Sequence, residues 1–234
     1  MFFRKKSNNY RLELLSLHIP KTAGTSFRNI LKEVYGEDAV VRWDINNRGV
    51  VRLNESIYSD KELPNARVLH GHYVYSDLKK MFDFDENSIH RITWLRHPVK
   101  RVISNYFYLE SRLHEILKEE QRNLNILSKM QRSLVEYARD EKNRNRQYKF
   151  LEGISLGEFD FVGIQEDFEL DLKEIALVLN WDKIPKLLYQ NKTSAKKKEL
   201  PKEIIEEIEV LNSLDMELYQ NALQMRNKNL SDYV

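Results

Sequence analysis

The sequence predicts an α/β fold of three layers, with a central, mainly parallel sheet flanked by helices. Three observations carry that reading. Short apolar runs alternate with segments whose apolar residues recur at helical spacing, the order that right-handed crossovers turn into a parallel sheet. Lys21, His70 and Arg96 each fall at the C-terminal end of a predicted strand, where such sheets bind ligands. The chain has 234 residues, 41% of them hydrophobic, with 7 glycines, 5 prolines and no internal repeat or Pro/Gly/Ser-rich linker. That suits one helix-rich core, read as a single domain over 1–234.

The first strand is predicted over Glu13–His18. A helix follows over Thr25–Tyr35, with Phe27, Ile30, Leu31 and Val34 on one face. The second strand is Ala66–His70 and the third Ile89–Leu95. The next helix has Pro98 in its first turn, where the missing N–H costs nothing, and Val99, Val102, Ile103 and Tyr106 on its apolar face. From Glu110 to Lys149 the chain is long and charged, and it reads as a helical insertion at about 110–150. A strand at Phe159–Ile164 precedes a helix at Glu166–Asn180, with Phe168, Leu172, Ile175 and Leu179 on one side. The last helix begins near Pro201 and carries Ile204, Ile208, Leu211, Leu214, Leu218 and Ala222.

Bulk composition excludes several functions. Charged residues make up 32%, but the net charge is only +2. Charge alone therefore gives no general polyanion-binding role, and nucleic acid is not an expected partner. The absence of cysteine removes disulfides, thiolate metal sites and a thiol nucleophile. Met1-Phe2-Phe3-Arg4-Lys5-Lys6 lacks the apolar stretch of a signal peptide, and no window approaches about 20 uninterrupted apolar residues. The expectation is a soluble, cytoplasmic protein without a membrane span.

The most informative segment is Leu14-Leu15-Ser16-Leu17-His18-Ile19-Pro20-Lys21-Thr22-Ala23-Gly24-Thr25-Ser26-Phe27. An apolar run ends in a small-residue loop, and a helix starts at once. The loop's N–H groups and the positive end of the helix dipole can converge on one phosphate, and Lys21 adds a full charge. This is not a Walker A loop, which places Lys and Ser/Thr after the last glycine, whereas Lys21 precedes Gly24. A standard ATPase or GTPase is disfavoured. Asp160, the one acidic residue near a strand that magnesium binding could use, lies before its strand core. An ordinary strand–loop–helix turn with a solvated lysine remains the plain alternative for the loop alone.

A second segment makes the signal specific. Arg96-His97-Pro98, with Arg101, Ser104 and Tyr106 after it, also follows a predicted strand. With His18-Ile19-Pro20-Lys21-Thr22-Ala23-Gly24-Thr25-Ser26 it resembles the two cofactor motifs of sulfotransferases. More narrowly, it resembles the carbohydrate sulfotransferases (sulfotransferase family 2) related to the heparan sulfate 2-O- and 6-O-sulfotransferases. The resemblance implies a P-loop-like fold and a cofactor, 3′-phosphoadenosine 5′-phosphosulfate, which leaves as 3′-phosphoadenosine 5′-phosphate. It places Lys21, Thr22, Ala23, Gly24, Thr25 and Ser26 at the 5′-phosphosulfate, and Arg96 and Ser104 at the 3′-phosphate. Arg suits that task because its planar donor fork matches a phosphate. A surface ion pair for Arg96 and a solvated Ser104 are the plain alternatives.

Between the motifs stands Val68-Leu69-His70-Gly71-His72-Tyr73. The resembling family, particularly its 2-O branch, has His-Gly-His here and uses a histidine as base. The chemistry needs one, since an acceptor hydroxyl must lose its proton as it attacks sulfur, and imidazole titrates in the useful range. His72 is taken as the base and His70 as its partner or a substrate contact, with Gly71 allowing a tight turn. A hydrogen-bonded histidine pair at a turn and a zinc pair are the alternatives. No further ligands cluster nearby, and no metal is expected.

Weaker signals come later. By the same resemblance, Lys192 and Thr193 sit in a basic loop that folds over the cofactor, and Asn145, Gln147, Leu151 and Gly153 match a pattern at the acceptor cleft. Phe161-Val162-Gly163-Ile164-Gln165-Glu166 reads as packing. The implied activity is sulfuryl transfer to a hydroxyl, with a glycan as the acceptor and an oligomer open. The competing readings are a nucleotide-dependent phosphotransferase and a non-catalytic nucleotide- or glycan-binding protein.

Overall fold

A computed structural model describes residues 10–119, 132–185 and 200–231. Seven strands form one sheet: β1 (Leu14–Leu17), β2 (Val40–Ile45), β3 (Val51–Leu53), β4 (Ser56–Ile57), β5 (Val68–Gly71), β6 (His90–Leu95) and β7 (Phe161–Ile164). Their order is β4-β3-β2-β5-β1-β6-β7. The run from β2 to β7 is parallel, and β3 and β4 add antiparallel at one edge. The predicted strands at β1, β5, β6 and β7 are present within two residues of their expected ends. The β2–β4 segment was not anticipated. Its signal is legible in hindsight: Val40, Val41, Trp43 and Ile45 are β-formers bounded by Asn46-Asn47-Arg48-Gly49, and Gly49 has φ +71°.

The described helices are α1 (Gly24–Tyr35), α2 (Tyr75–Met81), α3 (Pro98–Glu119), α4 (Leu134–Arg139), α5 (Arg146–Phe150), α6 (Phe168–Val178), α7 (Lys202–Leu211) and α8 (Ser213–Ser231). Phe27, Ile30 and Leu31 of α1 join Leu172 and Ile175 of α6 against Leu14, Val40, Val68 and Ile92 on one sheet face. The opposite face, with Leu15, Leu17, Val41 and Leu69, packs on α2, α5 and α8 through Leu78, Phe150, Tyr219 and Ala222. This is the three-layer arrangement that the alternation predicted. A third cluster joins α3, α4 and α7 through Val102, Tyr137 and Ile208.

Two expectations change. The helix read as continuous from Pro201 is broken at Asn212, which is buried and used as a bracket: its side chain donates to the Ile208 carbonyl and accepts from the Asn145 N–H. The break rotates Leu214 outward, and it is exposed. The stretch 110–149 holds the end of α3 and then two short helices, α4 and α5, among its described residues. Ser133 and Glu136 start α4 with a reciprocal capping box.

β1 lies between β5 and β6, and the crossovers on its two sides run to opposite halves of the sheet. That is a topological switch point, and the crevice beyond its strand ends is the default ligand site. Gly71 does not form the turn expected of it. It is the last residue of β5, and a Cβ there would lie 1.9 Å from the Trp43 carbonyl oxygen. The backbone cannot yield as a flexible side chain would. Gly71→Ala should therefore destabilise the fold by about 1–3 kcal/mol, read as a lower urea midpoint at unchanged m-value.

Candidate active site

The loop after β1 carries two non-glycine residues in the left-handed region, Lys21 at φ +75° and Ala23 at φ +68°. Such residues are uncommon, and they turn successive N–H groups toward one concavity. Helix α1 then begins at Gly24 without a side-chain cap and with no acidic residue in its first turn. Its N-terminal donors are thus left for an anion. Thr22 faces inward: it is buried, and its hydroxyl donates to the Ile19 carbonyl at 2.9 Å. Its side chain braces the loop, leaving only its backbone for a ligand. Thr25 is exposed and Ser26 half-buried in the first turn of α1.

Three imidazoles stack beside this cradle. The His18 ring stacks with those of both His70, at 5.1 Å, and His72, at 4.4 Å between centroids. His18 also meets Gly24, where an added Cβ would come within 2.1 Å of three atoms of the ring. Glycine is therefore required at the head of α1 for contact rather than for φ. His72 Nδ1 donates to the His18 carbonyl at 2.7 Å. A carbonyl can only accept, so the proton sits on Nδ1 and Nε2 carries the lone pair. The His72 backbone N–H is in turn held by Asp44 Oδ1 at 2.9 Å, and Asp44 pairs with Arg42.

His70 has a different environment. It is 3% exposed, Nδ1 meets Ser16 Oγ at 2.8 Å, and a hydrogen bond ties the ring to the Gly24 backbone. Burial pushes its pKa down to about 3, helped by His72 and Arg28. Burial also lowers His72, and it lowers His18 well below the usual range. The stack is neutral in the folded state near pH 7.

Arg96 follows β6 and reaches across: its Nη1 donates to the Lys21 carbonyl at 3.1 Å. The two motifs are joined directly. Burial lowers the pKa of both Lys21 and Arg96, with Arg96 adding to the effect at Lys21. Lys21 Nζ lies over the Tyr108 ring, 4.0 Å from its centroid. Ser104 lies in α3 one turn before Tyr108, half-buried and on the same helix face. Lys192 and Thr193 lie outside the described residues.

The Asn-x-Gln pattern braces the site instead of lining a cleft. Buried Gln147 accepts the Arg96 N–H and donates to the Arg96 carbonyl, both at 2.9 Å. Asp215 holds the Gln147 and Tyr148 N–H groups and faces Arg101, both charges fully buried. Leu151 is in the core, and Gly153 has φ +87°. Glu166 accepts the His97 N–H at 3.1 Å and the Tyr219 hydroxyl at 3.2 Å, fixing the start of α3. Asp160 accepts from the Arg91 N–H and pairs with His90, at the start of β6 and so at the opposite end of the strands from the loop. It does not serve the loop. Among the described residues no cluster of three or more His, Asp or Glu could hold a metal ion.

The sequence model of the sulfotransferase family matches residues 8–221. This chain belongs to the sulfotransferase family. Membership implies transfer of a sulfuryl group. Among solved structures it is similar to a sulfotransferase from Alicyclobacillus acidocaldarius, at 13% identity over 92% of this chain and 96% of that one, with a TM-score of 0.47. It is also similar to mouse sulfotransferase SULT7A1 complexed with PAP, at 15% identity over 76% of this chain and 62% of that one, with a TM-score of 0.41. No curated protein matches. Among the described residues of this sulfotransferase no helix is long and apolar enough to cross a membrane.

Sequence reading missed His18, Asp44 and Tyr108 as site residues. His18 stood in the quoted motif, but only its stacking with two rings gives it a role. The neutral stack has a measurable consequence. Between pH 6.5 and about 3 the unfolded chain binds a proton that folded His70 refuses. Stability should be complete above pH 6.5 and fall as pH drops through that window, by about 1.4 kcal/mol per pH unit for each such histidine. Urea midpoints at pH 7, 6 and 5 measure the slope, and His70→Asn should flatten it.

Proposed function

We propose that this sulfotransferase moves a sulfuryl group from 3′-phosphoadenosine 5′-phosphosulfate to a carbohydrate hydroxyl, with His72 as the general base. The observation that carries this is the hydrogen bond from His72 Nδ1 to the His18 carbonyl, which leaves Nε2 unprotonated one imidazole away from the phosphate cradle. His70 lacks that freedom, because it is buried with its ring nitrogens engaged. It serves as a support.

The residues present fit the cofactor. The uncapped, acid-free start of α1 and the left-handed loop suit the 5′-phosphosulfate, with Lys21, Ala23, Gly24, Thr25, Ser26 and the Thr22 backbone around it. Arg96 spends one N–H on the loop and has others for the 3′-phosphate, with Ser104 on the neighbouring face of α3. Lys192 and Thr193 complete the site in this reading. When bound, the cofactor supplies the sulfuryl group and a phosphate leaving group. His72 Nε2 takes the acceptor's hydroxyl proton as the new O–S bond forms. Lys21 and the α1 N–H groups stabilise the charge that gathers on the departing phosphate oxygen. Alignment of the acceptor oxygen by the fixed imidazole supplies the rest. Burial lowers the His72 pKa, which favours its neutral, basic form.

Three measurements test this. 3′-Phosphoadenosine 5′-phosphate should raise the melting temperature, and ATP with magnesium should not; the reverse pattern favours a phosphotransferase. His72→Ala should lower kcat by about 10²–10⁴-fold while keeping nucleotide binding, and full activity on a confirmed acceptor removes His72 from the base role. Arg96→Ala should weaken the 3′-phosphorylated nucleotide by roughly 10–100-fold, with little change for adenosine 5′-phosphosulfate. Equal losses for both would sink the assignment of Arg96.

A further inference from the structure

Among the described residues no carboxylate pairs with the Lys21 ammonium; burial disfavours its charge, and Arg96 repels it. What it does have is the face of Tyr108, with Nζ 4.0 Å from the ring centroid. The ring is on the side of α3 that turns to the loop. His97, Arg101, Ser104 and Tyr108 are spaced four, three and four residues apart, which places them along one stripe of a helix. Arg101 of that stripe is buried against Asp215, so the stripe's direction is set by the interior. The other end of Lys21 is fixed too. Its backbone is left-handed, and its carbonyl accepts from Arg96.

We propose that Tyr108 is the positioning residue of Lys21, its ring face holding the ammonium charged and beside the phosphate cradle. The role of Lys21 itself rests on the sulfotransferase reading. An aromatic face is well matched to the task. A desolvated ammonium over a ring is stabilised electrostatically by the ring's quadrupole. A carboxylate in the same place would neutralise the lysine and repel a phosphate. The ring holds the cation while leaving its charge available to an anion that arrives in the cradle. Glu110, the acidic neighbour closest in sequence, lies two residues along the helix, which turns it to another face.

Tyr108 is 45% exposed, so its replacement leaves the core intact. Reductive ¹³C-methylation of the lysines reports on the contact without substrate, with the Lys21 signal assigned by its loss in Lys21→Arg. The signal should show an upfield ring-current shift in the wild type and in Tyr108→Phe. In Tyr108→Leu it should return to the exposed-lysine position and titrate at lower pH. With labelled donor and an active acceptor, kcat of Tyr108→Leu should fall by roughly 3–30-fold with the donor KM little changed, and Tyr108→Phe should restore it. An unchanged Lys21 signal in Tyr108→Leu overturns the proposal whatever the activity. If instead the Lys21 signal responds as stated but the wild type transfers no sulfuryl group to any acceptor, the sulfotransferase reading fails and the contact stands.

Discussion

The site depends on one contact, the His18 ring packed against the head of α1 and the imidazoles of His70 and His72. Gly24 gives up its side chain so that the ring can lie on the helix start, and the ring stacks with both histidines. The same residue's carbonyl fixes the His72 tautomer. One residue thus sets both the distance from the His72 ring to the cradle and the tautomer of that ring. Parallel pairing makes this possible. Ser16 of β1 and Arg42 of β2 stand abreast of His70 on β5, so adjacent parallel strands bring these three residues into register.

Electrostatics follow from that packing. Three imidazoles in contact cannot each hold a proton, and burial removes the water that would share the charge. They stay neutral, with Arg28 and Arg42 supplying positive charge around them, while Lys21 and Arg96 face each other at the loop. Neutral imidazoles beside cationic side chains suit an anionic ligand while keeping a basic nitrogen. Protonating the stack would add positive charge but remove that lone pair.

Holding Arg96 at the loop needs its own support, and it is polar. Gln147 grips both backbone groups of Arg96, Asp215 grips Gln147, and Arg101 faces Asp215 with both charges out of water. A buried pair of this kind adds little net stability over an apolar replacement, yet it is costly to break from one side. Its value here is geometric. It ties α3, α5 and α8 to the end of β6, so the guanidinium approaches the Lys21 carbonyl from a fixed direction. Glu166 does the same for the first turn of α3.

How far the sequence discloses this depends on the range of each interaction. β1, α1, β5, β6 and β7 were legible because apolar periodicity and loop chemistry are local, and both motifs follow strands in order. The β2–β4 edge was equally local and was passed over because it carries no motif. Asn212 hid the break between α7 and α8, since its partner Asn145 is 67 residues away. The same holds for the site. Lys21, His72 and Arg96 stand out by type and position, whereas what Gly71, the Thr22 side chain and Gln147 pack against or brace is visible only in the fold. A residue's chemistry is written in its type, but its role is set by what the fold places against it: His18 lies 54 positions from His72, and Lys21 lies 87 from Tyr108. Such pairs follow from topology, and topology becomes readable only once every strand has been placed.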